Sequence, residues 1–167
     1  MKTFIFSLLV SVQCLALTPP KPIQGYPMMM AGGSAILGAG DMSVVINNLP
    51  KGWGTSISSL SKSGGYLELL STQDKYGCSV EIKRFDSEQD LEKNYAKIKR
   101  SFDQKKVKDL NDGFEAELSH AWYSCYTSNP FLVEIWYVLP KNVGRAKKKY
   151  AENWDLLKNS VQVSQRS

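Results

Sequence analysis

GCSVEIKRFDSEQDLEKNYAKIKRSF, residues Gly77 to Phe102, changes its period once and so sets two different elements end to end. Over the first nine residues Cys78, Val80 and Ile82 alternate with Ser79, Glu81 and Lys83, the two-residue period of a strand with one buried face. Past Asp86 the period lengthens. Leu91, Tyr95, Ile98 and Phe102 are spaced by four, three and four residues, which puts all four on one side of a helix. Asp86 or Ser87 supplies the N-cap, with Gln89 or Asp90 three residues on to complete a capping box.

Upstream, Met42 to Asn47, Thr55 to Ser61 and Tyr66 to Ser71 read as strands, separated by Asn48-Leu49-Pro50-Lys51-Gly52 and by Ser63-Gly64-Gly65. Downstream, strands are expected at Gly113 to Leu118, His120 to Thr127 and Phe131 to Leu139, with Asn129-Pro130 turning the last two into an antiparallel hairpin. The third of these is apolar on nearly both faces and should be central. A closing helix from Val143 to Ser160 carries Ala146, Tyr150, Trp154, Leu157 and Val161 as its apolar stripe. Strands, helix, strands, helix predict one α+β domain over residues 41–167, mainly an antiparallel sheet covered by helices.

The first sixteen residues read as a cleavable signal peptide: Lys2 gives a positive start, Phe4 to Leu15 an apolar run, and Cys14-Leu15-Ala16 a cleavage site after Ala16. That run is shorter than the roughly 20 apolar residues a membrane span needs. Acylation at Cys14 is the alternative processing, disfavoured by Gln13 before it. Export to the periplasm or the medium follows, and no other segment is long and apolar enough to span a bilayer. Residues 17–40, rich in Pro, Met and Gly, show neither strand nor helix period and read as a flexible arm.

Without the leader the chain carries 20 basic and 16 acidic residues, a mild positive excess. Cys14 departs with it, leaving Cys78 and Cys125 as a candidate disulfide in an oxidising compartment, worth about 4 kcal/mol by loop-closure entropy. Two buried free thiols are the alternative. The basic residues gather in two groups: Lys97, Arg100, Lys105 and Lys106, with Lys93, Lys99 and Lys108 near them, and Lys141, Arg145, Lys147, Lys148 and Lys149. Joined, they form a cationic patch for an anionic envelope surface or an acidic partner. Lysines 147–149 fall in the first turn of a helix, where the macrodipole disfavours cations by about 0.3–1 kcal/mol.

No catalytic constellation stands out. His120 is the single histidine, and neither cysteine has a CxxC partner, so neither a metal nor another cofactor is expected. The glycines at 32, 33, 38 and 40 lack the GK[ST] of a phosphate loop. Glu115 and Glu117 share a strand face, with Glu81 a further carboxylate, but polar-outward alternation already accounts for them. Trp122 and Trp136 on the late hairpin are a candidate aromatic contact surface, with core packing as the alternative.

Val44-Val45-Ile46, the run Leu49-Pro50-Lys51-Gly52-Trp53 and the ending Leu156-Leu157-Lys158-Asn159-Ser160 give residues 41–163 a pattern that resembles the PsbP/Mog1-like family. The resemblance implies an α/β/α sandwich and a non-enzymatic accessory role, and it carries over no site residue. The expected function is therefore that of an exported binding or accessory protein acting through its basic helices. The alternative is an exported hydrolase with an unrecognised active site, in which His120 is the only imidazole. Export makes nucleic acid an unfavoured partner.

Overall fold

The computed structural model describes residues 35–71, 77–140 and 144–165, so the expected leader, Cys14 and arm residues 17–34 lie outside the described residues. Strands β1 (Ala35–Ala39) and β2 (Met42–Ile46) form a hairpin, followed by β3 (Trp53–Ser61), β4 (Gly64–Ser71) and β5 (Gly77–Arg84). Helix α1 (Glu88–Ser101) and a 3-10 turn, Gln104–Lys106, lead into β6 (Val107–Asp109), β7 (Gly113–Glu117), β8 (Ala121–Ser128) and β9 (Phe131–Val138). A second 3-10 turn, Gly144–Ala146, opens α2 (Lys147–Ser160), and β10 (Val161–Gln165) follows at once.

The strands form a seven-stranded antiparallel sheet in the order β3-β4-β5-β9-β8-β7-β6 and a three-stranded one in the order β1-β2-β10. An α+β fold dominated by antiparallel sheet, with two α-helices, is the coarse outcome. The strand-to-helix switch lies where the period changes: Ser87 caps α1 by accepting from the Asp90 amide. Pleat alternation then sorts the large sheet into two cores. On one side Val80, Ile82, Val133, Ile135 and Tyr137 pack with Tyr150, Trp154 and Leu157 of α2 and with Met42, Val44, Ile46, Val161 and Val163 of the small sheet. On the other, Phe114, Tyr123, Leu132 and Trp136 pack with Leu91 and Phe102, joined by Tyr95 and Ile98.

Three expectations are corrected. The folded unit begins before residue 41, because β1 lies within the stretch read as an arm and pairs along its length with β2. Five residues of small and branched type, Ala35-Ile36-Leu37-Gly38-Ala39, are too few to show a period on their own. Val161 ends no helical stripe; with Val163 it alternates into the core from β10. Cys78 and Cys125 form no bridge: both are free and buried, in different cores. Strand β9 lies between them, and two strand spacings, roughly 10 Å, exceed the ~7 Å Cα limit for a disulfide.

The two sheets are clasped at one end by Asp41, in the β1–β2 turn. It forms an ion pair with Arg84 at the end of β5 and accepts from Gln165 Nε2 of β10 at 2.8 Å. Arg84 also lies over the Phe131 ring, 5.8 Å from its centroid. At the other end the Asn47 amide donates to Ser160 O, and the Tyr126 hydroxyl donates to Val161 O, each at 2.9 Å.

The Asp41 carboxyl is held below the usual aspartate range, chiefly by the hydrogen bond from Arg84 and next by that from Gln165. A depressed acid stabilises the fold above its unfolded pKa of about 3.9 and stops doing so as pH falls through its lower folded value. Urea midpoints of the wild type and Asp41→Asn should therefore differ at pH 6 and draw together as pH falls below the unfolded value. A gap that does not narrow as pH is lowered contradicts this account of the clasp. Gly113 is a second sensitive point, since a Cβ there would lie 2.1 Å from Cys125 O and 2.9 Å from Tyr126 Cα. Gly113→Ala should cost about 3 kcal/mol in urea unfolding, because backbone and not a side-chain end must yield.

Candidate functional site

The two basic groups meet in part. Helix α1 belongs to one core and α2 to the other, so Lys97 and Arg100, exposed on α1, do not line the surface that Lys147 does. The chain after α1 crosses over. Lys106 and Lys108 reach the edge of the sheet and line one depression of about 360 Å³ with Lys147, Trp122, Ala151 and Trp154. Lys105, Lys106 and Lys108 also border a second depression, of about 500 Å³, with Leu118 and Ser119. Lys148 is exposed beside Lys147. Lys141 and the side chain of Arg145 lie outside the described residues.

Glu115, Glu117 and Asp155 line the first depression too, and Lys108 is the cross-strand partner of Glu115. Lys147 reaches Glu117 at 3.3 Å across the surface and Lys99 holds Asp109 at 2.6 Å. Lys105, Lys106, Lys108 and Lys148 form no ion pair among the described residues. The α2 N-terminus adds to the positive field, with no acid in its first turn and no side-chain cap on Ala146.

Farther along α2, Lys158 bridges Glu115 of β7 at 2.8 Å and Asp155 at 2.9 Å, in a half-buried position. Burial lowers the Lys158 pKa, but the two carboxylates outweigh it and hold it above its ordinary value. Beyond this bridge a depression of about 550 Å³ lies between the C-terminal end of α2 and β7, bordered by Asp109, Leu110, Asp112, Ser124 and Tyr126.

A second polar set is buried in the sheet itself. Glu81 and Glu134 are direct cross-strand partners on β5 and β9, a destabilising like-charge pair. Lys83 resolves it, donating to Glu134 at 2.8 Å and lying 3.2 Å from Glu81, while the Tyr123 hydroxyl donates to the other Glu134 oxygen at 2.8 Å. Burial works to lower the Lys83 pKa, and the Glu134 hydrogen bond and charge more than reverse it. Ser56, Glu68 and Ser79, all buried, continue the polar row across β3, β4 and β5. The neighbouring Tyr66 hydroxyl is pushed up to about 12, by burial first and then by Glu68. Sequence reasoning missed this row; its signal was Glu134, the one charge in the apolar run Phe131–Val138.

His120 sits exposed in the β7–β8 turn, its Nδ1 2.9 Å from the hydroxyl of the adjacent Ser119. Among the described residues no carboxylate is hydrogen-bonded to that imidazole, and no group of three or more His, Cys, Asp or Glu residues could hold a metal ion. The aromatic contact surface expected from Trp122 and Trp136 is instead core: they are 7% and 3% exposed. Trp136 packs against Tyr123 and Phe102 beneath α1, and Trp122 against Tyr137 and Trp154 beneath α2. No described helix is long and apolar enough to cross a membrane.

No family model matches the chain. No curated protein and no solved structure matches it either.

The two thiols give a direct check on the cores. Burial pushes both up, Cys78 strongly and Cys125 to about 12. A raised acid stabilises the folded chain below its unfolded pKa, and that contribution is lost as pH rises through the window up to the folded value. Each thiol should thus remove about 1.4 kcal/mol per pH unit above pH 9. Iodoacetamide mapped by peptide mass spectrometry should leave 78 and 125 unmodified in native protein at pH 8 and label both in urea. Labelling of either residue without denaturant would contradict its burial.

Proposed function

We propose that this chain is an exported, non-enzymatic binding or accessory protein that holds an anionic partner on the corner made by Lys105, Lys106, Lys108 and the first turn of α2. The observation that carries the reading is the depression where Lys106 and Lys108 face Lys147 over an aromatic floor, with most of this positive charge unpaired. Four lysines in reach of an anionic surface contribute about 1 kcal/mol each, enough for reversible recruitment. Export rests on the leader pattern of residues 1–16, whether processed after Ala16 or acylated at Cys14, and gives the partner an envelope or extracellular location.

One helix for each core, with strands running before and after α1, supports an α/β/α sandwich and is compatible with the PsbP/Mog1-like resemblance. An accessory role is in keeping with that resemblance.

The mature protein should be retained on an immobilised acidic peptide and sediment with vesicles rich in phosphatidylglycerol, with both effects weakening as salt rises. Lys106→Glu/Lys147→Glu/Lys148→Glu should cut retention at least about tenfold at low salt while leaving the thermal midpoint within a few degrees. Equal retention of wild type and triple variant would sink the basic-corner reading.

A further inference from the structure

The depression at Lys147 and the one at Asp112 lie end to end along α2, as a slot that the Glu115–Lys158–Asp155 bridge crosses between them. Both are lined by Glu115. One wall is α2, and the floor is the face of β7 and β8 carrying Glu115, Glu117, Trp122 and Ser124, continued at the sheet edge by β6, where Lys108 lies opposite Glu115, and by the turn after it. The slot exists because α2 is seated over β9 and β8 through Tyr137 and Trp122, leaving β7 and β6 uncovered on that side.

Its unpaired charge differs between the two ends. Lys106 and Lys108 stand with the Lys147–Glu117 pair at the end where α2 begins, and Asp112 stands at the end where α2 finishes, where Asp109 is already held by Lys99 of α1. The helix dipole runs in the same sense, positive at Lys147 and negative at Asn159, so helix and side chains add. Asp112 forms no ion pair among the described residues, and Leu110, 40% exposed, stands beside it. Fourteen residues of α2 span roughly 21 Å, the length of six or seven residues of extended chain.

We propose that this slot binds an extended polypeptide segment of a partner protein, with acidic residues against Lys106 and Lys147 and basic residues against Asp112, and with Lys158 beneath its middle. The proposal rests on the binding function above and narrows its partner. A uniformly anionic lipid surface fits poorly, since it would bring like charge onto Asp112, which forms no ion pair among the described residues. A segment with opposite charges at its ends satisfies both, and the lysine rim then steers its approach.

The test uses fluorescein-labelled eight-residue peptides and the full mature chain, read by anisotropy and by quenching of Trp122 and Trp154. One pair carries two Glu at one end and two Lys at the other, in both chain directions. Controls carry the same charges interleaved, or Glu at both ends. At least one polarised peptide should bind roughly tenfold tighter than either control. Asp112→Lys should remove that preference without touching retention on phosphatidylglycerol vesicles, whereas Lys147→Glu should weaken both. Asp112→Asn, which keeps the loop's shape, should show an intermediate effect and guards against a folding defect. Equal binding of all peptides, with Asp112→Lys indifferent, overturns the slot and leaves the basic corner standing. Indifference to Lys147→Glu as well overturns both.

Discussion

The seat of α2 on the sheet governs the rest of this molecule. Trp154 lies parallel to Tyr137, 9° between planes with centroids 6.3 Å apart, and Trp122 and Tyr150 flank the pair. Aromatic contacts of this kind add about 0.5–1.5 kcal/mol each beyond the area they bury, and their geometry is restrictive. With α2 fixed over β9 and β8, the small sheet fills the remaining space on that side through Val161 and Val163, which follow the helix without a loop. The same placement leaves the outer strands β7 and β6 without a helix over them on the α2 side. The open surface is thus a consequence of how the core packs.

Two sets of charges accordingly have different physics. Glu134, 6% exposed, is matched by Lys83 and Tyr123, and Lys83 also neutralises Glu81 across the strand pair. Glu134 is the buried member and Lys83 stays 44% exposed, so solvent screens the pair in part; loss of Lys83 would leave a buried carboxylate beside Glu81, and the row thereby favours this strand register. The lysines at the sheet edge are solvated and mostly unmatched, so their removal would leave the fold nearly unchanged. Lysines on a short edge strand also discourage pairing with another sheet, and Lys108 on β6 serves that purpose whatever else it does.

Much of this was legible because it was periodic. The alternation Cys78-Val80-Ile82 and the stripe Leu91-Tyr95-Ile98-Phe102 each repeat enough to name an element and its buried face, and both stand in the structure as read. Strands β1, β6 and β10 went unread, whereas β2 and β7, also five residues long, were read between their turn signals. Alternation also cannot say which strands become neighbours. Cys78 and Cys125 each occupy an inward position, yet the insertion of β9 between β5 and β8 puts them in separate cores. The two basic groups failed as a single patch for the same reason: α1 and α2 serve opposite sides of the sheet, and only Lys106 and Lys108, past the end of α1, line a depression with Lys147. Lys158 gave no sign in one dimension, because its partner Glu115 lies forty-three positions away.

The charge order of α2 is hard to derive from folding alone. A helix gains about 0.3–1 kcal/mol from an acid in its first turn and typically about 1 kcal/mol from a Ser, Thr, Asp or Asn cap. This one has Ala146 at the cap position and Lys147, Lys148 and Lys149 in its first turn. Helix α1, in the same chain, has both features, with Ser87 as cap and Glu88 and Asp90 behind it. Local rules are thus followed where the helix only has to pack and broken where it borders the slot. The stability given up is small against a usual total of about 5–15 kcal/mol, and an anion at that end would recover it by meeting the lysines and the helix terminus together.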